Sequence, residues 1–248
     1  MKLALLADIH ANLEALEACL ADAREEGAGR FAVLGDVVGY GADPGPVVDA
    51  VAALVEGGAL AVRGNHDEAV AAGHADLMHP AAGKVIAWTR GRLTAGQRAF
   101  LAGLPLVVRE EDLLLVHASP ERPGDWIYVT DPLRAARGFE AAAPSAWVFC
   151  GHVHEPVLYT LGAAARPIPF RPAPGVAIPV PPRRRWLAVV GSAGQPRDGN
   201  TAACYAMLDT DRATLTFRRV PYDWAAAAEK IRAAGLPESL ARRLERGE

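Results

Sequence analysis

The sequence predicts an α/β protein in which two mixed β-sheets pack face to face, with helices on the outside. The N-terminal part alternates short apolar segments with helical patterns, which is typical of parallel βαβ units. The C-terminal part carries apolar segments joined by short turns, which indicates antiparallel strands. The chain has 248 residues, 51% of them hydrophobic, and no low-complexity linker, so we expect one domain over residues 1–248.

The N-terminal part predicts three strands joined by two helices. The strands are expected at residues 2–7, in RFAVLGD (30–36) and in ALAVRG (59–64). Asn12 is the expected N-cap of the first helix, because apolar residues follow it at helical spacing. Asp43 and Pro44 supply the N-cap and first-turn proline of the second helix.

The rest of the chain predicts further strands and a C-terminal helical segment at about 222–247. Strands are expected on both sides of the polar turn at 110–112 and in SAWVFCG (145–151). The proline-rich stretch 162–185 is suited only to an extended or edge segment. Three later segments are predicted to form one antiparallel run: RRWLAVVGSAG, TAACYAMLDT and ATLTFRRV.

Composition excludes several classes of protein. The net charge of -3 gives no basic field for nucleic acid, and no apolar run reaches the roughly 20 residues of a membrane span. The N-terminal segment becomes acidic too soon for a signal peptide. The three cysteines form no CxxC pair, so we expect a reduced, cytoplasmic protein.

Polar residues with metal-binding side chains follow five of the predicted strands. In open α/β sheets, ligand sites gather beyond the carboxyl ends of strands, so these residues are expected to share one rim. They are Asp8, His10, Asp36, Asn65, His117, His152 and His154. Each motif alone has an ordinary structural explanation, such as a cap or a turn, but their joint occurrence at strand ends favours a site.

The seven donors indicate a centre for two metal ions. In an extended segment side chains alternate, so His152 and His154 should point to the same side, as should Asp8 and His10. Imidazole and carboxylate suit Zn, Mn, Fe or Ni, and the lack of thiolates argues against a structural zinc site. Seven donors exceed what one ion needs and suggest two ions sharing a carboxylate, an arrangement suited to phosphate ester hydrolysis.

The motifs Asp-x-His, Gly-Asp, Gly-Asn-His-Asp, a later His and Gly-His-x-His resemble the signature of the calcineurin-like metallophosphoesterases. They run from Leu3 to His154. GDVVGYGADP and GSAGQPRDGN are similar to the small bacterial and archaeal YfcE-like phosphodiesterases. The resemblance implies a four-layer αββα sandwich.

The resemblance also implies roles for individual residues. Asp8, His10 and His154 would hold one ion, Asn65, His117 and His152 the other, and Asp36 would bridge them. His66 would face the substrate, with its imidazole oriented by Asp67. The nucleophile would be a water or hydroxide between the ions. Manganese is the first expectation for the metal, with iron, zinc or nickel as alternatives.

Residues near these motifs are candidates for substrate contacts. Tyr40 could stack on a base or sugar, and its loop with Gly39 and Gly41 is either a phosphate-binding loop or a tight turn. Arg197 could grip phosphate, or could pair with Asp198 on the surface.

Two further aromatic residues and two histidines are less clearly connected with the motifs. Trp126 and Tyr128 could wall the pocket or belong to the core. His74 and His79 lie away from the strand ends and are expected to be surface histidines.

The expected function is hydrolysis of phosphodiester or phosphomonoester bonds in a small phosphorylated substrate. Alternatives are a nucleotide or dinucleoside polyphosphate hydrolase, a protein phosphatase, and a non-enzymatic metal-binding scaffold. The presence of both His66 and Asp67 favours an enzyme over a scaffold. The apolar C-terminal segment WAAAAEKIRAAG leaves an oligomer possible.

Overall fold

The computed structural model of the chain describes residues 1–73, 80–161 and 166–248. His74 and His79 lie outside the described residues, so their predicted surface position is not tested. The strands are β1 (Lys2–Leu6), β2 (Arg30–Leu34), β3 (Leu60–Val62), β4 (Val107–Glu110), β5 (Leu113–Val116), β6 (Trp147–Cys150), β7 (Val157–Leu161), β8 (Pro167–Phe170), β9 (Ala177–Pro179), β10 (Trp186–Val189), β11 (Ala203–Asp209) and β12 (Thr214–Val220).

The helices are α1 (Leu13–Glu25), α2 (Pro44–Glu56), α3 (Asn65–Ala72), α4 (Pro80–Arg92), α5 (Ala95–Gly103), α6 (Pro132–Ala141), α7 (Trp224–Ala233) and α8 (Glu238–Arg246). The two helix starts predicted from the sequence are confirmed, because α1 begins directly after Asn12 and α2 begins at Pro44. The Asn12 side chain accepts a hydrogen bond from the backbone N–H of Ala15. Thr94 and Gln97 form a capping box at the start of α5.

Each sheet has six strands of mixed direction. The first sheet has the order β3-β2-β1-β11-β12-β9, and the second has the order β4-β5-β6-β10-β7-β8. In the first sheet β1, β2 and β3 are parallel, as the βαβαβ pattern predicts, and β11 pairs with β1 in the antiparallel sense. The proline-rich stretch supplies β8 and β9, which lie at the edges of the two sheets, as predicted.

The prediction that three late segments form one antiparallel run is wrong for the first of them, RRWLAVVGSAG, which contains β10. Strands β11 and β12 do form an antiparallel pair in the first sheet. Strand β10 instead belongs to the second sheet, where it is parallel to β6 and antiparallel to β7. All four residues of β10 are buried, which is typical of a strand covered on both faces rather than a strand of an exposed hairpin.

The alternation of side chains along β1 shows how the four layers are built. Leu3 and Leu5 point into the core between the two sheets, where they join Phe149 of β6. Ala4 and Leu6 point the other way, into the core beneath α1 and α2. Helix α6 covers the outer face of the second sheet. The αββα sandwich is therefore confirmed.

The predicted C-terminal helical segment consists of two helices, because α7 ends at Ala233 and α8 begins at Glu238. The two helices share an apolar cluster in which Ile231 and Leu244 are buried beside Val85 of α4. Tyr40 packs against the same cluster. Among the helices in the described parts of the chain, none is both long and apolar enough to cross a membrane.

Candidate metal centre

The residues predicted to bind metal converge at one end of the two sheets. They follow the carboxyl ends of β1, β2, β3, β5 and β6, all of which are short apolar strands. Six of the seven are buried, and Asn65 is half-buried. A buried group of carboxylates and imidazoles is costly to assemble unless its members are paired or hold a cation, so the convergence points to a functional site.

One group of donors consists of Asp8, His10 and His154. The Nε2 atoms of His10 and His154 are 3.1 Å apart. The Oδ1 atom of Asp8 lies 3.3 Å from His154 Nε2 and 4.0 Å from His10 Nε2. The backbone N–H of His152 donates to both oxygens of Asp8, which fixes the orientation of that carboxylate.

A second group surrounds His117 Nε2. This atom lies 3.0 Å from His152 Nδ1, 3.1 Å from Asn65 Oδ1 and 3.4 Å from Asp36 Oδ2. The same Asp36 Oδ2 lies 3.7 Å from His10 Nε2 in the first group. Asp36 therefore lies between the two groups, in the position expected of a shared ligand.

Backbone carbonyls fix the orientation of three imidazole rings. The Nδ1 atoms of His10, His117 and His154 lie 3.1, 2.8 and 2.6 Å from the carbonyl oxygens of Val38, Leu34 and Gln195. An Nδ1–H that donates to a carbonyl leaves Nε2 unprotonated and directed at the centre, which is the state that binds a metal.

The ionisation of the centre matches a cation site. Burial alone would raise the pKa of Asp36, but His117 and His66 hold it well below its usual value. Burial lowers the pKa of His152 to about 3 and that of His10 well below 6.5. Burial would also lower the pKa of His117, but Asp36 and Asp8 raise it to about 9. Asp36 thus stays charged and attracts positive charge. Without a bound cation this charge is a second proton on His117; a cation bound at Nε2 would take its place.

The donor spacing fits metal coordination. Two ligands bound to one ion at about 2.1 Å can be no more than about 4.2 Å apart, and the donor distances described above within the two groups run from 3.0 to 4.0 Å. The groups Asp8–His10–His154 and Asp36–His117–His152 each have donor atoms within 4.8 Å of one another. The residues could therefore hold metal ions, and two groups sharing Asp36 could hold two.

The prediction that His152 and His154 lie in an extended segment and point to the same side is wrong. The strand β6 ends at Cys150, and His152 and His154 have φ of 67° and 66° instead of extended values. Asp8 and His10 likewise have φ of 52° and 51°. Non-glycine residues in this region are strained, and such strain is characteristic of functional sites. The turns send His152 and His154 to different groups of donors.

The predicted contact between Asp67 and His66 is not made. The two oxygens of Asp67 accept hydrogen bonds from the backbone N–H groups of Val38 and Gly64, at 3.2 and 2.9 Å. His66 Nδ1 is buried and has no hydrogen-bond partner in the described residues. A ring nitrogen of His66 also lies within 4.8 Å of donor atoms of His10 and Asp36. Asp67 thus shapes the loops around the centre, and His66 faces the donors directly.

A family model identifies the superfamily of the chain. The model of the calcineurin-like phosphoesterase superfamily domain matches residues 1–213, a range that contains all seven donors. The chain belongs to the calcineurin-like phosphoesterase superfamily. The resemblance inferred from the sequence motifs is thereby confirmed.

Individual relatives of this phosphoesterase-family chain cover its full length. A metallophosphoesterase from Sphaerobacter thermophilus is 37% identical, with a TM-score of 0.90 over 100% of this chain and 99% of its own. An uncharacterised protein of Methanocaldococcus jannaschii is 32% identical over 98% of this chain and 96% of its own length. A hypothetical protein from Pyrococcus horikoshii is 21% identical, with a TM-score of 0.81 over 100% of this chain and 98% of its own, and shares the fold.

The glycine-rich loop of this phosphoesterase domain is a tight turn. A Cβ atom on Gly39 would lie 2.4 Å from His66 Nδ1, and one on Gly41 would lie 2.3 Å from the carbonyl oxygen of His10. The loop thus packs against its own chain and places Tyr40, whose ring centroid is 4.5 Å from those of His10 and His66.

The two other aromatic candidates lie over the second group of donors. The ring of Tyr128 stacks on His152 with centroids 3.9 Å apart, although 49% of the residue remains exposed. The ring centroids of Trp126 and His117 are 5.9 Å apart. The alternative of a core position is therefore wrong for Tyr128, which forms part of the rim of the site.

Arg197 does not form the predicted pair with Asp198, because Asp198 pairs with Arg219. The Nη2 atom of Arg197 instead donates to Gln195 Oε1 at 2.9 Å, and the backbone N–H of Arg197 donates to the carbonyl of His154 at 3.3 Å. The guanidinium carbon lies 5.7 Å from the Tyr40 ring centroid.

Sequence reasoning missed Arg243 of α8. Its guanidinium carbon also lies 5.7 Å from the ring centroid of Tyr40. No local motif marks this residue, because it reaches the site only through the packing of the C-terminal helices.

Proposed function

We propose that the chain is a metal-dependent phosphoesterase that hydrolyses phosphodiester or phosphomonoester bonds at a dinuclear centre. The observation that carries the proposal is the position of Asp36 Oδ2, 3.4 Å from His117 Nε2 and 3.7 Å from His10 Nε2. One carboxylate oxygen within reach of both groups of donors is what a pair of neighbouring ions requires. Manganese is the first candidate metal, with iron, zinc and nickel as alternatives.

The chain would hold one ion with Asp8, His10 and His154 and the other with Asn65, His117 and His152, with Asp36 shared. Bound divalent cations would supply Lewis-acid stabilisation of charge on the phosphoryl oxygens and would make water more acidic. The carbonyls of Val38 and Leu34 keep two of the imidazoles in the metal-binding tautomer.

His66 would act on the substrate. Burial lowers its pKa to about 4, so its imidazole is neutral at pH 7 and carries one N–H. Asp36 Oδ1 accepts a hydrogen bond from the His66 backbone N–H at 2.9 Å, which ties the position of the histidine to the shared carboxylate. A neutral imidazole held there can donate its N–H as a hydrogen bond to a phosphoryl or leaving oxygen, where negative charge builds up.

A substrate panel with manganese-loaded protein tests the proposal. We expect turnover of bis-p-nitrophenyl phosphate or p-nitrophenyl phosphate, with cyclic nucleotides and dinucleoside polyphosphates included to define the range. Metal analysis should give two ions per chain, and Asp36→Ala should lose both ions together with activity. Wild-type protein that holds two ions and hydrolyses none of these compounds would instead favour the non-enzymatic scaffold.

A further inference from the structure

Two arginine side chains lie near the ring of Tyr40, at the edge of the centre. Arg197 follows β10, and Arg243 lies in the last two turns of α8. Each guanidinium carbon is 5.7 Å from the Tyr40 ring centroid, so the two lie within twice that distance of each other. The Tyr40 ring itself packs on His10 and His66. The two positive charges therefore lie one aromatic ring away from the donors.

Neither guanidinium is neutralised by a carboxylate among the described residues. Around Arg243 the neighbouring acidic residues serve other arginines, since Glu238 pairs with Arg232 and Arg242, and Glu248 pairs with Arg246. Arg197 makes its side-chain hydrogen bond to the neutral Gln195, and its Nε is buried without a partner. Arginine groups left without an anion beside a catalytic centre are suited to binding one from the substrate.

The backbone holds the two arginines in a fixed relation to the centre. The N–H of Arg197 donates to the carbonyl of His154, a proposed metal ligand. Two residues later, the N–H of Gly199 donates to the carbonyl of Gly247 at the end of α8, at 2.9 Å. The contact is close, because a Cβ atom on Gly247 would lie 2.7 Å from the backbone of Asn200. The end of α8 thus packs against, and is hydrogen-bonded to, the loop that carries Arg197.

We propose that Arg197 and Arg243 bind a second anionic group of the substrate while its reacting phosphate lies at the metal centre. This inference rests on the proposed function and deepens it. The preferred substrate is then a phosphate ester that carries a second phosphate group, such as a nucleoside diphosphate, whereas a simple monoester would occupy the metal centre alone. Arg243 lies outside the residues 1–213 that the family model matches, so the C-terminal helices would add this part of the binding site to the domain.

Binding of AMP and ADP to the manganese-loaded protein tests the proposal, because the two ligands differ by one phosphate. For Arg243→Gln we expect affinity for ADP to fall about tenfold, the effect of losing one charge-assisted hydrogen bond, and affinity for AMP to change less than about twofold. Arg243→Lys should recover part of the ADP affinity. Calorimetry measures both without requiring turnover.

Arg246→Gln is the matched control, because Arg246 lies one turn further along α8 and its side chain is 61% exposed. It should bind both nucleotides as the wild type does. Equal weakening of AMP and ADP in Arg243→Gln would overturn the proposal, as would no weakening of either. A wild type that binds ADP through Arg243 but hydrolyses nothing in the substrate panel would contradict the proposed function and leave this binding role intact.

Discussion

His66 is the residue whose role separates catalysis from metal binding. It lies close enough to His10 and Asp36 for its ring to serve as a ligand, yet each group of donors is complete without it. Its Nδ1 is buried without a hydrogen bond in the described part of the chain, which costs free energy and is a feature found in catalytic groups as well as beside bound ions or water.

For His66→Ala we expect kcat to fall by about 10² to 10³, the usual effect of removing a hydrogen-bond donor that stabilises charge in the transition state, with both ions retained. Metal analysis and steady-state kinetics on the same preparation measure the two effects. His117→Ala serves as the comparison, since it should lose an ion as well as activity. A loss of metal in His66→Ala that matches its loss of activity would make His66 a ligand and remove it from the catalytic role.

At the scale of elements, the loop after β10 is what closes the centre. Gly194 passes so near the first metal-binding loop that a Cβ atom would lie 1.7 Å from the carbonyl oxygen of Ile9. The N–H of Gly194 donates to the carbonyl of Asp8, and Ser192 Oγ donates to the same oxygen. The next residue, Gln195, supplies the carbonyl that orients His154. Only glycine permits this approach.

Gly194→Ala should therefore destabilise the fold by about 3 kcal/mol, because backbone must move to admit the methyl group. Metal affinity should fall as well, since Asp8 and His154 depend on the same loop. Gly91→Ala is the control: this glycine lies within α4 with nothing near its Cβ position, and alanine there should stabilise by about 0.5–1 kcal/mol. Urea denaturation measures both, and equal stability of the two variants would contradict the assigned contact.

The sequence predicts the elements better than their partners. Most strands and helices follow from apolar spacing and start signals, as Asn12 before α1 and Pro44 in the first turn of α2 illustrate. The sheet that β10 joins does not follow, because its partner β6 lies far away in the chain and an apolar strand carries no mark of its neighbour.

The donors were predictable because they sit in motifs at strand ends. The positive φ at His152 and the arrival of Arg243 over Tyr40 were not, because tertiary packing imposes both.

At the scale of the whole molecule, polar networks join the helical layer to the first sheet. Asp22 of α1 accepts hydrogen bonds from Arg218 of β12, at 2.8 and 3.1 Å, and from the hydroxyl of Tyr205 of β11. The side chains of Asp22 and Arg218 are 21% and 26% exposed, so solvent screens the pair less than it would a surface ion pair. This network fixes how α1 lies across β11 and β12 of the first sheet.

The network predicts a pH dependence of stability. Burial alone would raise the pKa of Asp22, but the hydrogen bonds from Arg218 and Tyr205 lower it below 3.8. A lowered carboxyl pKa contributes stability above the unfolded value of about 3.9, and the contribution disappears as the pH falls through the folded value. Asp22→Asn should therefore lose about 1–2 kcal/mol at pH 7, and its deficit relative to wild type should shrink below about pH 4.

Denaturation by urea at several pH values measures this deficit, and titration of the metal centre in acid cancels because both proteins contain it. Asp125→Asn is the control, since Asp125 pairs with Arg122 on the surface, where the side chains are 50% and 66% exposed. Its stability should match wild type at every pH. A deficit for Asp22→Asn that persists unchanged into acid would show that packing, and not the charge on Asp22, holds α1 against the sheet.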